Sequence, residues 1–336
     1  MRIKDVIKDI IAGKDMTVDT AYSVAGYIMS GQASDAQIGA LLVGLHIKGE
    51  TVDEITGFAR SMRENMTIVR SPVPDVLDTC GTGGDGANTF NVSTIAALVA
   101  AGAGCAVAKH GNRSVSSRCG SADLFEKLGV RIDIDAEQMA SCLEKNGISF
   151  LFAPRLHPAM KYAIGPRREI GVRTIFNILG PLTNPANVRH QVIGVYDAEL
   201  TYVLAEVLKN LNAVHSLIVH GEDGVDEISI NGQTLISELK DSKIRVYKIA
   251  PEEFGIQSQS LDTVMVMTIE ESERLTKSVL DGEPGPARDI VLLNAGAAIY
   301  AADKAETIAQ GIEFARKSID SGKAKQKLEM LRGFDQ

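Results

Sequence analysis

The sequence predicts an α/β protein, with a small all-helical N-terminal domain and a larger domain built on a mostly parallel central sheet covered by helices. Three observations carry this. The first 66 or so residues have helical periodicity and little room for strands, and after Ser71–Pro74 the pattern becomes strand, glycine-rich turn, helix, repeated. The apolar residues are also short of aromatics, with 9 Phe, 7 Tyr and no Trp beside 31 Gly. Such a core is filled by Ala, Val, Ile and Leu, which suits helices packed closely on a sheet. At 336 residues, 45% hydrophobic and 23% charged, the chain has room for two domains or one large α/β domain.

In the helical opening, Ser34–Gln37 and Thr51–Glu54 both have the spacing of a capping box. Ile38, Leu41, Leu42 and Leu45 follow the first at helical spacing, and Ile55, Phe58, Ala59 and Met62 follow the second. Beyond the proline pair, strands are expected at 75–78, 105–108, 148–153, 191–196 and 216–220, with helices at 93–102, 121–128 and 135–145. A hairpin is expected over 227–236, turning at Asn231-Gly232. Helices near 270–281, 289–302 and 304–332 close the chain, and no repeat at a solenoid period is evident.

Ligands of open α/β sheets bind beyond the carboxyl ends of strands. Two loops have that placement. The first runs Gly81-Thr-Gly-Gly-Asp-Gly86 and leads to Asn91-Val-Ser-Thr94, where glycines admit close backbone N–H groups and a helix adds its positive end. Asn91, Ser93 and Thr94 can cap that helix or meet phosphate oxygens, and Ser93 can give a neutral oxygen to a metal. Neither a Walker A loop nor a dinucleotide fingerprint is present. The second loop, Lys109 to Ser117, gathers two cations (Lys109, Arg113), the amide of Asn112 and the hydroxyls of Ser114, Ser116 and Ser117, a cradle for pyrophosphate or a sugar phosphate. The adjacent carboxylates Asp226 and Glu227 suit hydrated magnesium, which takes few protein ligands. Arg167 or Arg168 can clamp a carboxylate, or either can pair on a helix surface, as with Glu169. His157 can line an aromatic pocket.

The formal charge of −8 argues against a general nucleic-acid binder, while leaving room for a local basic pocket. Cys80, Cys105, Cys119 and Cys142 lack metal or disulfide spacing and read as reduced thiols. No signal-peptide pattern opens the chain, and the longest weakly polar stretch, 94–108, is shorter than the roughly 20 residues a membrane span needs. A cytoplasmic protein without a membrane partner is expected.

Taken together, GTGGD at 81–85, NVST at 91–94, KHGNRSVSS at 109–117, GSAD at 120–123, the run 167–171, NILGPLTNPA at 177–186 and the acidic pair resemble the anthranilate phosphoribosyltransferases of tryptophan biosynthesis. Order and spacing match over essentially the whole chain. The resemblance implies the nucleoside phosphorylase-like phosphoribosyltransferase architecture, with a helical domain at 1–70 on which part of about 165–190 packs, an α/β domain at 71–336, and a homodimer formed chiefly through the helical domain. It puts Gly81, Gly84, Asp85, Thr89, Asn91, Val92, Ser93 and Thr94, then Lys109, His110, Gly111, Asn112, Arg113, Ser114, Val115, Ser116, Ser117 and Ser121, at phosphoribosyl pyrophosphate. Magnesium, two ions by expectation, falls to Ser93, Asp226 and Glu227. Anthranilate falls to Gly81, His110, Asn112, His157 and Arg167, with Lys109, Asn112 and Arg167 in the catalytic roles. Arg118-Cys119 departs from the family pattern without touching these positions. The rival readings are a pyrimidine nucleoside phosphorylase-like enzyme and a nucleic-acid-binding relative of the fold.

Overall fold

The computed structural model describes residues 2–113 and 119–334. Four helices open the chain: α1 (Ile3–Ile11), α2 (Val18–Met29), α3 (Asp35–Lys48) and α4 (Val52–Glu64). Both expected capping boxes form, Ser34 with Gln37 and Thr51 with Glu54. Glu54 does more than cap. Fully buried, its carboxylate accepts from Thr51 N–H at 2.9 Å, Met16 N–H at 3.0 Å and Lys48 Nζ at 3.0 Å, so one satisfied charge ties three segments together.

The larger part runs β1 (Leu77–Thr79), α5 (Val92–Gly102), β2 (Val107–Gly111), α6 (Ser121–Lys127), α7 (Ala136–Asn146), β3 (Ile148–Phe152), α8 (Ala153–Leu156), α9 (Lys161–Ile170), α10 (Phe176–Leu179), β4 (His190–Gly194), α11 (Glu199–Asn210) and β5 (His215–Gly221). It continues with β6 (Thr234–Lys240), β7 (Lys243–Ile249), α12 (Ile269–Leu280), α13 (Pro286–Ala301), α14 (Ile308–Asp320) and α15 (Lys323–Arg332). The seven strands lie in the order β3-β2-β1-β4-β5-β6-β7. The first five are parallel, and β6 and β7 are antiparallel additions. Strand order reverses between β1 and β4, which makes that crevice the switch point where such sheets bind ligands.

The small-residue core follows from the composition. α5 buries ten of its eleven residues, all aliphatic, small or hydroxyl-bearing, under the sheet and beside α13, α14 and α15. A second core joins the opening helices to residues 163–182, to α11 and to the back of β4 and β5. All four cysteines are free thiols, three of them buried. Among the described residues, no helix is long and apolar enough to cross a membrane.

Two expectations fail. The hairpin is not at Asn231-Gly232: it joins β6 to β7 through Asp241 and Ser242, both of which take positive φ. Residues 222–233 instead form a folded-back loop, with Glu222 N–H bonded to Gln233 O and Ser229 N–H to Thr234 Oγ1, so local side-chain bonds displace strand pairing. The long closing helix is two helices, broken at Ser321-Gly322, where Gly322 sits at φ +74°. β7 and α11 were not anticipated; β7 is a largely exposed edge with a weak apolar pattern.

At the sheet end away from the switch point, His215 lies between Asp303 (2.8 Å) and Glu238 (3.1 Å), and Tyr300 OH donates to Glu238 at 2.6 Å. Burial opposes the Glu238 charge, yet the bonds from His215, Tyr300 and Tyr247 win and hold its carboxyl down at about 2. A depressed carboxyl stabilises the fold above its unfolded value near 4.5, and that contribution is lost as pH falls toward 2. Glu238→Gln is therefore expected to flatten the loss of stability between about pH 4.5 and 2.5 in urea titrations; slopes parallel to the unsubstituted protein would contradict this.

Candidate active site

The glycine loop leaves β1 still attached to β4, with Cys80 N–H on Val192 O and Thr82 N–H on Gly194 O. It then turns through Gly83, Gly84 and Gly86, all at positive φ that a side chain would strain. Asn91, expected to cap α5 or meet phosphate, does not cap: its Nδ2 donates to Cys119 O and its Oδ1 accepts from Ser272 Oγ, at 3.0 and 2.8 Å. The first-turn amide of Ser93 donates instead to Glu227 Oε1 at 3.1 Å, so a carboxylate 134 residues away serves the positive end of the helix. Thr89 bridges to Met265, Val92 is buried, and the buried Thr94 hydroxyl has no partner among the described residues.

The acidic pair meets this loop directly. Asp226 Oδ2 accepts from Gly83 N–H at 2.9 Å, and Asp226 N–H reaches Asp85 Oδ2 at 3.4 Å. The approach is possible because β4 ends in glycine. A Cβ at Gly194 would lie 1.5 Å from the Asp226 carbonyl oxygen, and one at Gly81 would lie 2.7 Å from Asp226 Oδ2. Three carboxylates thus converge. Desolvation raises the Asp226 carboxyl, and Asp85 raises it further; desolvation and then Asp226 raise Glu227 well above the usual carboxylate range. Lys109, 2% exposed on β2, is the near cation, its ammonium on Thr79 O and, at 3.4 Å, on Ser93 Oγ. Asp85, Asp226, Glu227 and the Ser93 hydroxyl offer only oxygens, the donor type a hard divalent cation takes, although among the described residues the three carboxylates do not gather within 4.8 Å of one another.

A second arrangement lies beside it on β2. Asp78 accepts from His110 N–H at 3.1 Å and from Asn184 Nδ2 at 2.7 Å, and burial raises its carboxyl to about 6 despite Lys109. His110 Nδ1 bonds to Gly180 O at 3.2 Å; a carbonyl only accepts, so Nδ1 carries the proton and Nε2 is bare. His157 Nε2–H then donates to it at 3.2 Å, leaving His157 Nδ1 a buried acceptor without a partner among the described residues. Burial pushes His110 down to about 3, aided by His157, and pushes His157 down to about 4, so both rings are neutral at pH 7. Donor atoms of Asp78, Cys80 and His110 lie within 4.8 Å of one another. With both Asp78 oxygens and both His110 nitrogens engaged, this group is framework rather than a metal site.

Of the paired arginines, Arg168 is exposed while Arg167 is partly buried with its guanidinium 5.3 Å above the Phe176 ring. Arg113 is turned away from the glycine loop toward α6, where it pairs with Asp123 at 3.1 Å and with Glu126. Asn112 Oδ1 accepts from Arg113 N–H, and the Asn112 carbonyl accepts from Ala122 N–H and Ser121 Oγ, which joins Gly111, Asn112 and Ser121 in one corner. Ser114, Val115, Ser116 and Ser117 lie outside the described residues. Two participants had no assigned role in the sequence. Asn184 ties Asp78 to Ala108 O and was visible only as part of a motif; Arg173 holds Gly84 O with its guanidinium 4.1 Å over Tyr196, and nothing local marks it.

Comparison with known proteins follows the same division. The helical bundle domain of a glycosyl transferase family matches residues 4–66, and the a/b domain of that family matches 73–325. The anthranilate phosphoribosyltransferase of Symbiobacterium thermophilum is 52% identical over 99% of this chain and 97% of its own length. That of Thioalkalivibrio sulfidiphilus is 52% identical, with 99% of each chain covered. The chain belongs to the anthranilate phosphoribosyltransferase family. The crystal structure of the Thermus thermophilus family member superposes with a TM-score of 0.93 at 42% identity, covering 98% of this chain and 99% of that one. A Saccharomyces cerevisiae member, described in complex with PRPP and Mg, superposes with a TM-score of 0.90 at 28% identity over 98% and 96% of the two chains. This phosphoribosyltransferase is therefore a glycosyltransferase whose helical and α/β parts are those of its family.

The packing at the end of β4 makes a direct prediction. Gly194→Ala should push the acidic loop off the glycine loop and lower turnover about 100-fold while the protein stays folded. Steady-state kinetics beside a far-UV CD melt checks it, and near-normal turnover would mean that the contact is not needed.

Proposed function

We propose that this phosphoribosyltransferase transfers the phosphoribosyl group of phosphoribosyl pyrophosphate to the amine of anthranilate, releasing pyrophosphate, in cytoplasmic tryptophan biosynthesis. The observation that carries the reading is the junction of Asp226 and Glu227 with the glycine loop and the first turn of α5 at the switch point. In its support, yeast members of the family are described in complex with PRPP and Mg and with 4-fluoroanthranilate.

In this proposal Ser93, Asp226 and Glu227 hold magnesium, two ions when both substrates are bound, with Asp85 close enough to join them. Bound magnesium would neutralise charge on the departing pyrophosphate. The loop amides of Gly81 and Gly84, the side chains of Thr89, Asn91 and Thr94, the stretch from Lys109 to Ser117, and Ser121 surround phosphoribosyl pyrophosphate. Breaking the C1–O bond leaves an electron pair on pyrophosphate and positive character at C1; the amine lone pair forms the C1–N bond, and the amine proton passes to water. Lys109 contributes a fixed positive charge at the floor of the site, and the α5 N-terminus adds its partial charge. An aniline amine is already neutral at pH 7, so no strong base is required. Two neutral imidazoles, His110 and His157, suit a wall for an aromatic ring, with Asn112 and Gly81 beside it and Arg167 as the carboxylate clamp. Positioning the amine against C1 is then the other large term.

Loss of anthranilate fluorescence on mixing with phosphoribosyl pyrophosphate and magnesium tests the activity. Asp226→Asn with Glu227→Gln should lower kcat/KM by about 100-fold or more, and unchanged kinetics would overturn the metal assignment. Arg167→Ala should raise the anthranilate KM about 10-fold, with Arg168→Ala without effect; the reverse pattern would move the clamp to Arg168.

We divide the chain at 70/71, with 165–190 packing on the helical side, and propose a homodimer through the helical domain. Ile11 and Ile47, 72% and 79% exposed at the ends of α1 and α3, favour a covered surface there. Ile11→Glu with Ile47→Glu should shift the molar mass by light scattering toward one chain, and an unchanged dimer would remove this face from the interface.

A further inference from the structure

Between Ile290 and Ile299 the sequence of α13 reads IVLLNAGAAI, and Asn294 is its single polar residue. It is 2% exposed. An amide in so apolar a setting is costly unless every group on it is bonded. Asn294 Oδ1 accepts from Ile228 N–H at 2.9 Å, while Nδ2 donates to Ile228 O at 2.9 Å and to Ile290 O at 2.9 Å. Because a backbone N–H only donates and a carbonyl only accepts, the orientation of the amide is determined by these partners.

Ile228 is the residue after Glu227. It lies in the loop between β5 and β6, where no strand pairs with it. The side chain of Asn294 therefore does for one residue what a neighbouring strand would do, offering an acceptor and a donor to the same backbone unit. The need for such a grip is visible on the other side. Asp226 and Glu227 are adjacent in sequence yet reach different targets, Gly83 N–H in the glycine loop and Ser93 N–H in the first turn of α5. Upstream, the Asp226 carbonyl is pressed against Gly194; downstream, Ser229 N–H is held by Thr234 Oγ1. Asn294 supplies the restraint between these two, from an element 66 residues away, and its side chain shares a small cleft with Glu227 and Ser93.

We propose that Asn294 is a positioning residue for the metal-holding acidic pair: its two bonds to Ile228 set the backbone from which Asp226 and Glu227 are aimed. This rests on the reading of Asp226 and Glu227 as metal ligands. Residues that orient metal ligands usually change metal affinity about 10- to 100-fold when removed. Asn294→Leu keeps the branching and the number of heavy atoms and deletes all three bonds.

The experiment measures Mn2+ affinity by electron paramagnetic resonance in the presence of inorganic pyrophosphate, and amide hydrogen exchange over 226–230 in the metal-free protein, well below the melting temperature. Asn294→Leu is expected to weaken Mn2+ binding about 10-fold or more and to speed exchange at 226–230 by a similar factor, with the anthranilate KM within about twofold. Thr276→Val removes an equally buried hydroxyl bond within α12 and serves as the purely structural comparison; it should lower the melting temperature and leave Mn2+ affinity alone. Should Asn294→Leu not fold, Asn294→Ser is read by the same two measurements. Unchanged Mn2+ affinity and unchanged exchange in the Asn294 variant would overturn the proposal. If the Asp226→Asn, Glu227→Gln double variant also bound Mn2+ normally, the metal reading itself would be at fault.

Discussion

Concentrated negative charge at the switch point of the sheet is the constraint around which the molecule is arranged. Asp85, Asp226 and Glu227 converge where β1 and β4 part, and one lysine, Lys109, stands among them. Burial and the mutual repulsion of these carboxylates outweigh the Lys109 ammonium, so Asp226 and Glu227 hold protons more tightly than free carboxyls do. In the proposed reaction, a polyphosphate with its cations would bring positive charge into the same space.

Backbone access makes this possible. Gly194 at the end of β4 lets the Asp226 carbonyl approach closer than any side chain would allow, and Gly81 leaves room for its carboxylate. Each carboxylate is then aimed by main-chain amides, Gly83 for Asp226 and Ser93 for Glu227. Behind them, Asp78, Asn184, His110 and His157 make a second buried polar chain whose protons are ordered by the Gly180 carbonyl. The cation-seeking half and the neutral half of the cleft both hang on β2, through consecutive residues Lys109 and His110. Alternation along a strand sends those two side chains to opposite faces of the sheet.

Much of this was legible in the chain. The capping boxes at Ser34 and Thr51 worked as read because both partners lie within one helical turn. The glycine loop, the helix after it and the acidic pair were located correctly, since short-range turn chemistry and strand-end placement are local properties. What was misread involved competition over distance. Asn231-Gly232 looked like the hairpin turn, but bonds to the side chains of Ser229 and Thr234 hold that segment in a folded-back loop instead. Nor could the sequence show that α6 supplies Asp123 and Glu126 to pair with Arg113. Arg173 gave no local signal, and Asn294 stood out only as a lone polar residue in an apolar helix, with nothing to show its partner.

By itself, then, the sequence determined the α/β class, the helical opening, the glycine loop and the chemical type of ligand, because periodicity, glycine placement and residue chemistry act over a few neighbours. Tertiary structure alone decided that Glu227 serves the amide end of α5, that Arg167 rather than Arg168 turns inward, that two histidines share one proton path, and that an asparagine on α13 grips the acidic loop. Those facts depend on which strand ends and helix faces meet in space. Hydrogen-bond partners 47 to 134 residues apart leave no pattern that a local reading can detect.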